Sequence, residues 1–581
     1  MRAGATSDAG STMTDETHEP EGGGEAGLPA GTSLPRHLSP EQLRLLEERV
    51  NRRYGAFGVR ASIDDAGERR AIADDGWRST VRLVAGVAAA SAFLSFVSTP
   101  AWNTPGEWST SFRLDTAFAV VWAPLLFWVM LKERLHESLR IYVALALFIE
   151  SFSETMFLAK GEGGYWDSIM WPAAVAYFGT VKELSGLPGA SLPIFFFVTA
   201  VLLHRAMRRR WAPERPAPPR FARDALLVFL ATMIALCAIG IARGGRVDWA
   251  FQQTLHMLQL PLVALLFLYA LRVPEDLAAV GSAYVVAALA RSLLVFWVYF
   301  GVCMPQGITD LPGKPEWCTT HSDTVLFVGA LVILLAHALE QRHRRVVVRC
   351  LAAGAVILAA IVLNNRRLAF VSLGIAPLVM YFALAPSKRK RRVTVALALV
   401  VPLLVAYVLY GSEVDSSSPL FKPAKGIVSV LDQRDTSAAS RDIENENLIY
   451  TLRQSPFFTR GFGHEYEHSP DNPPVDLSYV FQNYRLIAHN GVLWLWSIAG
   501  VVGFTLLWFL YPLAGTLAVR GHRAAETPLE RTSALAALGC IAVCVVQIWG
   551  DQGLQSYTTL VTFALAFAVS ARLAETTTTG R

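Results

Sequence analysis

Of the 581 residues, 53% are hydrophobic and 17% charged, and the mean hydropathy is +0.37. Those proportions exclude a string of water-soluble domains and make the bilayer the solvent, since a hydrocarbon core about 30 Å thick needs roughly 20 mostly apolar residues per helical span. No nucleic-acid partner is expected, and the modest net charge of +5 is informative mainly through its distribution between loops.

Residues 1–77 read as a cytoplasmic N-terminal region, rich in Gly, Glu, Ser and Thr up to Ser33 and too poor in apolar side chains to fold, so it is expected to be largely disordered. Within it, Ser39, Pro40 and the following EQLRLLEERVNRRY have the order of an N-cap, a proline at the first helical position and a short amphipathic helix. No early charged, apolar and cleavage pattern is present, which predicts that no signal peptide is removed and that the first span directs insertion.

Apolar stretches then recur almost to the C-terminus. Residues 78–322 hold predicted spans at Val81–Val97, Asp115–Leu131, Leu139–Leu158, Leu184–His204, Asp224–Ala242, Thr254–Leu271 and Ala279–Gly301. Residues 323–410 add Asp323–Leu339, Val346–Leu363, Leu368–Ala385 and Val393–Tyr410, and residues 489–581 add Asn490–Tyr511, Ser533–Trp549 and Leu554–Ala571. The fold class is therefore all-α, a polytopic integral membrane helix bundle of about 12–14 spans. Ile169–Thr180 is short and interrupted by Pro172, and reads as re-entrant or interfacial.

Charge fixes the orientation. Arg205, Arg208, Arg209, Arg210, Arg215, Arg220 and Arg223 crowd one loop, and the same parity puts EQRHRR at 340–345, SKRKRR at 387–392, and Arg520, His522 and Arg523 on one side. Four basic loops on one side make that side cytoplasmic, together with both termini. The long loop 411–488, the turn Asn364–Arg367 and the loop Val302–Ser322 then face outward, where neither nucleotide sugars nor ATP are at hand.

Four cysteines, Cys237, Cys350, Cys540 and Cys544, fall within predicted spans as small apolar fillers. Cys303 and Cys318 share one outer loop and are either a disulfide or two thiols. No Cys/His spacing suggests a zinc site and no glycine-rich phosphate loop follows a strand, so neither metal nor cofactor is expected.

Three places carry candidate chemistry. In the turn NNRR, Arg366 and Arg367 stand at the junction of two spans against the positive-inside bias. They either snorkel to the headgroups or present planar, permanently charged donors to a lipid-linked phosphate or pyrophosphate. The segment SRDIENENLIYTLRQSPFFTRGFGHEY, Ser440 to Tyr466, sets Arg441 near the start of a predicted helix, then a Pro456 break and a Gly461-Phe462-Gly463 turn. Taken alone it reads equally as an amphipathic surface helix. His489 stands where the long loop re-enters the membrane, as a polar anchor or as a general base.

Together these pieces resemble a known family. LNNRRLAFVSLGI is similar to its arginine-containing pair of spans, Arg441 through PFFTRGFGHEY to its loop motif, and AHNGVLWLWSIAGVVGF to its His-Asn-x-x-Leu re-entry helix. The family is that of the O-antigen ligases and polymerases, bacterial membrane glycosyltransferases, and the likeness spans roughly Asp323 to Ala571. It implies a metal-independent, inverting glycosyltransferase of C-type architecture in the bacterial inner membrane, with a periplasmic active site. The donor would be an undecaprenyl-pyrophosphate-linked glycan and the acceptor a glycan or lipid A core. Carried over residue by residue, the resemblance makes Arg366 or Arg367, with Arg441, the pyrophosphate contacts and His489 the base that activates the acceptor hydroxyl. Here two arginines stand where the family has one beside a serine. Glu444, Glu446, Glu465 and Glu467 are alternative bases or sugar contacts.

Two other functions remain in view. A repeat-unit polymerase would use the same donor and the same chemistry, and the single large outer loop inclines the reading towards a ligase. A flippase or exporter would form no bond and would line its path with charges; Glu150, Glu154, Arg243, Arg291 and Asp551 are the intramembrane candidates, in no evident series.

Overall fold

The computed structural model describes residues 63–98, 135–149, 167–179, 192–208, 218–272, 274–303, 319–341, 343–414, 421–429, 436–457, 460–472 and 484–579, with 39, 41, 44 and 45 near the N-terminus. These residues are almost all helical and contain no strand. In chain order the helices are α1 Ile63–Ser98, α2 Leu135–Phe148, α3 Asp167–Phe178, α4 Ile194–Met207, α5 Arg220–Ala242, α6 Val247–Ala270 and α7 Pro274–Phe296, which runs on as a π-helical segment, Trp297–Cys303. Then come α8 Asp323–Glu340, α9 Arg344–Asn364, α10 Arg367–Ala383, α11 Lys388–Glu413, α12 Lys422–Ser429 and α13 Thr436–Gln454. The C-terminal part is α14 Gly491–Trp508, α15 Leu510–Ala524, α16 Pro528–Gly550 and α17 Tyr557–Thr579.

Among the described residues nine helices are long and apolar enough to cross a membrane, α14 and α15 counting as one of 34 residues, and α4 and α10 are shorter apolar helices. They account for the spans expected from Leu184 onward. The expected span Asp115–Leu131 lies outside the described residues, as does the second half of Leu139–Leu158. The piece read as re-entrant is α3, 12 residues long and too short to cross.

Which helices face lipid follows from burial of their apolar surface. In α17, 94% of the most apolar stretch is buried, and alanines such as Ala564, Ala568 and Ala571 let α6, α15 and α16 close around it. In α11 none of that stretch is buried, and Leu399 and Leu403 are 66% and 70% exposed. α17 is thus the centre of the bundle and α11 its lipid-facing edge.

The reversals of direction are written in local signals. Asn365 adopts the left-handed conformation, φ 49°, that ends α9, and Arg366 follows as the N-cap of α10. Asparagine tolerates that region better than most residues, which is why the NNRR turn closes there. Thr527 and Glu530 form a capping box at the start of α16, with Pro528 at its first position. Because α8, α9 and α10 alternate in direction, as do α14–α15 and α16, residues 319–323, 364–367, 489–491 and 550–555 gather at one end of the bundle. The basic segments 341–345, 387–392 and 520–523 gather at the other, where Arg531 Nε meets Glu340 Oε2 at 3.0 Å.

Candidate active site

The first half of the site is built on the NNRR turn. Arg366, only 6% exposed, donates from Nη2 to the Thr319 carbonyl at 2.6 Å and from Nη1 to His321 Nε2 at 2.9 Å. Asn364 Oδ1 accepts from the Thr319 backbone N–H at 2.8 Å, so the strap before α8 is tied to the turn from both sides. The His321 ring then meets the carboxylate of Asp551, the residue that caps α16.

A second half comes from the long loop and its re-entry. Gln552 N–H donates to the His489 carbonyl at 2.8 Å, which joins the end of α16 to the start of α14. Glu444 on α13, buried, accepts from the His489 backbone N–H at 3.0 Å and lies 3.1 Å from His489 Nδ1. The pair holds the imidazole with Nδ1 towards the carboxylate and Nε2 turned away from it, an arrangement in which Nε2 can accept a proton. Asn490 caps α14 by accepting from Leu493 N–H at 3.1 Å and donates to Asn445 Oδ1 at 3.1 Å, so α13 and α14 are locked together here. Arg441 lies three residues before Glu444 on α13, hence on the same face. Among the described residues Arg441 makes no hydrogen bond or ion pair, yet its charge acts on His321, His489 and Asp551.

Electrostatics sort these groups. Burial alone would push His489 down, but the hydrogen bond and charge of Glu444, with Asp551 behind it, outweigh burial and Arg441 and raise it above its ordinary value. His321 is lowered, first by burial and then by Arg366, against the pull of Asp551. Burial would raise Asp551, yet the contact with His321 and the charges of Arg441 and His489 hold it below the usual carboxylate range. The site therefore holds two guanidiniums, two imidazoles of opposite tendency and two carboxylates, Asp551 beside His321 and Glu444 beside His489. Among the described residues no group of three or more His, Cys, Asp and Glu side chains is arranged to hold a metal ion.

Residues 352–508 match the O-antigen ligase family. Over that segment the chain is similar to the O-antigen ligases, and the rest of the 581 residues lies outside the match. No curated protein matches it significantly. The matched segment runs from within α9 to the end of α14 and so carries Arg366, Arg441, Glu444 and His489. His321 and Asp551 lie outside it, on either side.

The structure thus brings Arg366, Arg441, Glu444 and His489 into one cluster. Arg367 begins α10 beside Arg366, which alone of the two makes the contacts to Thr319 and His321 described above. Glu446 is on the exposed side of α13. Glu465 pairs with Arg485 at 3.1 Å, and Glu467 pairs with Arg460, so both are engaged in holding the loop. Cys303 and Cys318 lie outside the described side chains. Of the charges considered for a transport path, Arg291 is neutralised by Asp323 through paired bonds of 3.0 and 2.9 Å, and Asp551 belongs to the cluster. Glu150 and Glu154 fall outside the described residues.

The G-F-G turn anchors the loop. Gly461 and Gly463 have φ of 80° and 101°, and Gly461 lies against the backbone of Gly240 in α5, where an added Cβ on Gly240 would stand 1.8 Å from the Phe462 carbonyl oxygen. Gln253 in α6, fully buried, donates to the carbonyls of His464 and Leu486 at 2.9 and 2.8 Å and accepts from Gly463 N–H at 2.7 Å. Both strands of the loop are thereby pinned to the bundle by one amide. Gly240→Ala is expected to cost about 1–3 kcal/mol through this clash, read as a lower melting temperature of the purified protein together with faster proteolysis of the 411–488 loop.

Proposed function

We propose that this protein transfers a glycan from a polyprenyl-pyrophosphate carrier to an acceptor hydroxyl at the outer face of the bacterial inner membrane. The observation that supports the reading best is the convergence of Arg366, Arg441 and His489 from three distant stretches of chain upon Asp551, at the bundle end away from the basic loops. The likeness of residues 352–508 to the O-antigen ligase family supports a lipid-linked glycan donor and a glycan acceptor. An undecaprenyl pyrophosphate donor and a lipid A core acceptor are the finer form of that implication.

The chemistry follows from the groups present. The bond from the anomeric carbon to the pyrophosphate oxygen breaks, the acceptor oxygen bonds to that carbon from the opposite face, and the configuration inverts. Pyrophosphate is already a good leaving group, so the site must neutralise charge more than supply a proton, and Arg366 and Arg441 do this without a metal. The acceptor proton passes to His489 Nε2, and Glu444 orients and stabilises the imidazolium that forms. The Asp551 charge offsets part of the Arg441 charge felt at His489.

The deciding experiment combines purified protein, a lipid-linked glycan donor and candidate acceptors, and follows new glycosidic product by mass spectrometry. Product formation in detergent supports transfer; vectorial movement of donor in vesicles with no new bond would make the protein a flippase. Sidedness has its own check. A cysteine at position 417 should be labelled from outside intact spheroplasts, and one at position 387 only after permeabilisation. The opposite result would move the site to the cytoplasmic face.

A further inference from the structure

We propose that His321 is the positioning residue that aims the Arg366 guanidinium at the donor pyrophosphate, and that it does so only as the neutral imidazole. The inference rests on the reading of Arg366 and Arg441 as the pyrophosphate site. It concerns a residue outside the family-matched segment 352–508.

The contacts assign the tautomer. His321 Nδ1 meets the Asp551 carboxylate, so the proton belongs on Nδ1. Arg366 Nη1 lies 2.9 Å from Nε2 and 3.3 Å from Nδ1, and since a guanidinium offers only N–H donors and Nδ1 is engaged by the carboxylate, Nε2 is the nitrogen that presents its lone pair. A second proton on Nε2 would set donor against donor and cation against cation. Protonated His321 and the present orientation of Arg366 therefore exclude each other. The Thr319 carbonyl holds Nη2 at 2.6 Å and the His321 ring lies against Nη1, so the two contacts together set the plane of the guanidinium. The charged groups acting on the ring are Arg366 from the α9–α10 turn, Asp551 from the end of α16 and Arg441 from α13. Burial and both arginines oppose a positive ring, and Asp551 favours it, with the balance on the neutral side. The ring is nonetheless 46% exposed on its side chain, so it borders the open part of the site where a donor would arrive.

The test is donor binding, separated from chemistry. A fluorescent farnesyl-diphospho-N-acetylglucosamine probe carries a diphosphate diester that does not titrate over roughly pH 5–8, and its affinity for the purified full chain in detergent would be measured across that range. Wild type should bind evenly at high pH and lose about tenfold per pH unit once His321 takes its second proton. His321→Ala should weaken binding by about 10- to 100-fold at high pH, the effect of a lost hydrogen bond to a charged group. His321→Gln, whose side-chain oxygen can accept from Arg366 without titrating, should bind as wild type does at high pH and stay flat on acidification. Protonation of His489 adds positive charge and would strengthen anion binding, so it cannot imitate the fall. An acid fall unchanged in His321→Gln, or wild-type binding by His321→Ala, overturns the role given to His321. Probe binding that is indifferent to Arg366→Ala and Arg441→Ala would instead sink the pyrophosphate reading itself.

Discussion

His489→Ala should lose glycan transfer by roughly 10²–10⁴-fold, the usual contribution of a general base, while donor still binds. The imidazole is held by Glu444 at 3.1 Å from Nδ1, and Arg366 is held by Thr319 and His321, so removal of His489 leaves that guanidinium's own contacts in place. Single-turnover transfer and binding of a lipid-linked donor report the two halves separately. If binding fell with activity, His489 would belong to the pyrophosphate site. The pH profile adds a signed expectation. A base must be neutral, and Glu444 raises His489 above its ordinary value of about 6.5, so transfer should fall on the acid side with a midpoint above that value. Glu444→Gln removes the charge that favours imidazolium. The acid limb should move to lower pH, and the maximal rate should drop because the emerging positive charge is no longer stabilised.

Arg441→Ala should abolish detectable transfer with protein abundance near normal, and Arg441→Lys should rescue it poorly. Among the described residues Arg441 has no hydrogen bond or ion pair to lose, so its truncation costs the fold little. Its charge is set amid His321, His489 and Asp551, where a donor phosphate would find it. Lysine restores the charge but not the planar fork that grips two phosphate oxygens. Arg366 differs. It is buried and bonded to Thr319 and His321, so Arg366→Ala should lower both activity and melting temperature, whereas Arg367→Ala should affect activity far less. Full activity of Arg441→Lys would exclude a bidentate phosphate contact, and equal loss in Arg366 and Arg367 variants would mean both guanidiniums reach the donor.

How far the site could be read from sequence depended on whether a residue broke a rule on its own. Arg366 and Arg367 stood out because guanidiniums between two apolar spans violate the positive-inside bias, and His489 because an imidazole opens a strongly apolar helix. Arg441 gained its role only from the resemblance, and Glu444 was one of four glutamates that the sequence could not separate. His321 broke nothing, and Asp551 stood out only as one of the charges weighed for a transport path. A histidine in a polar loop is ordinary, and the 230-residue separation of the two hides the contact between them. Gln253 is the clearest omission. A glutamine just before the expected span Thr254–Leu271 breaks no rule in sequence, and only packing shows that it lies within α6 and holds both sides of a loop more than 200 residues away.

The all-α membrane architecture and the recurrence of its spans were determined by the sequence itself, because a bilayer demands long apolar helices whatever their neighbours. So was the gathering of basic loops at one end, since alternating hairpins leave the chain no other choice once the spans are set. The sequence also carried the turn chemistry, such as Asn365 closing the arginine turn, because that depends on a residue's own backbone preference. Tertiary structure alone decided which helix lies at the centre. α17 is no more apolar than α11, yet one is buried and the other faces lipid, because hydrophobicity does not distinguish a protein neighbour from a lipid one. It alone decided which glutamate serves His489 and which of two adjacent arginines turns inward, since both depend on contacts between residues far apart in the chain.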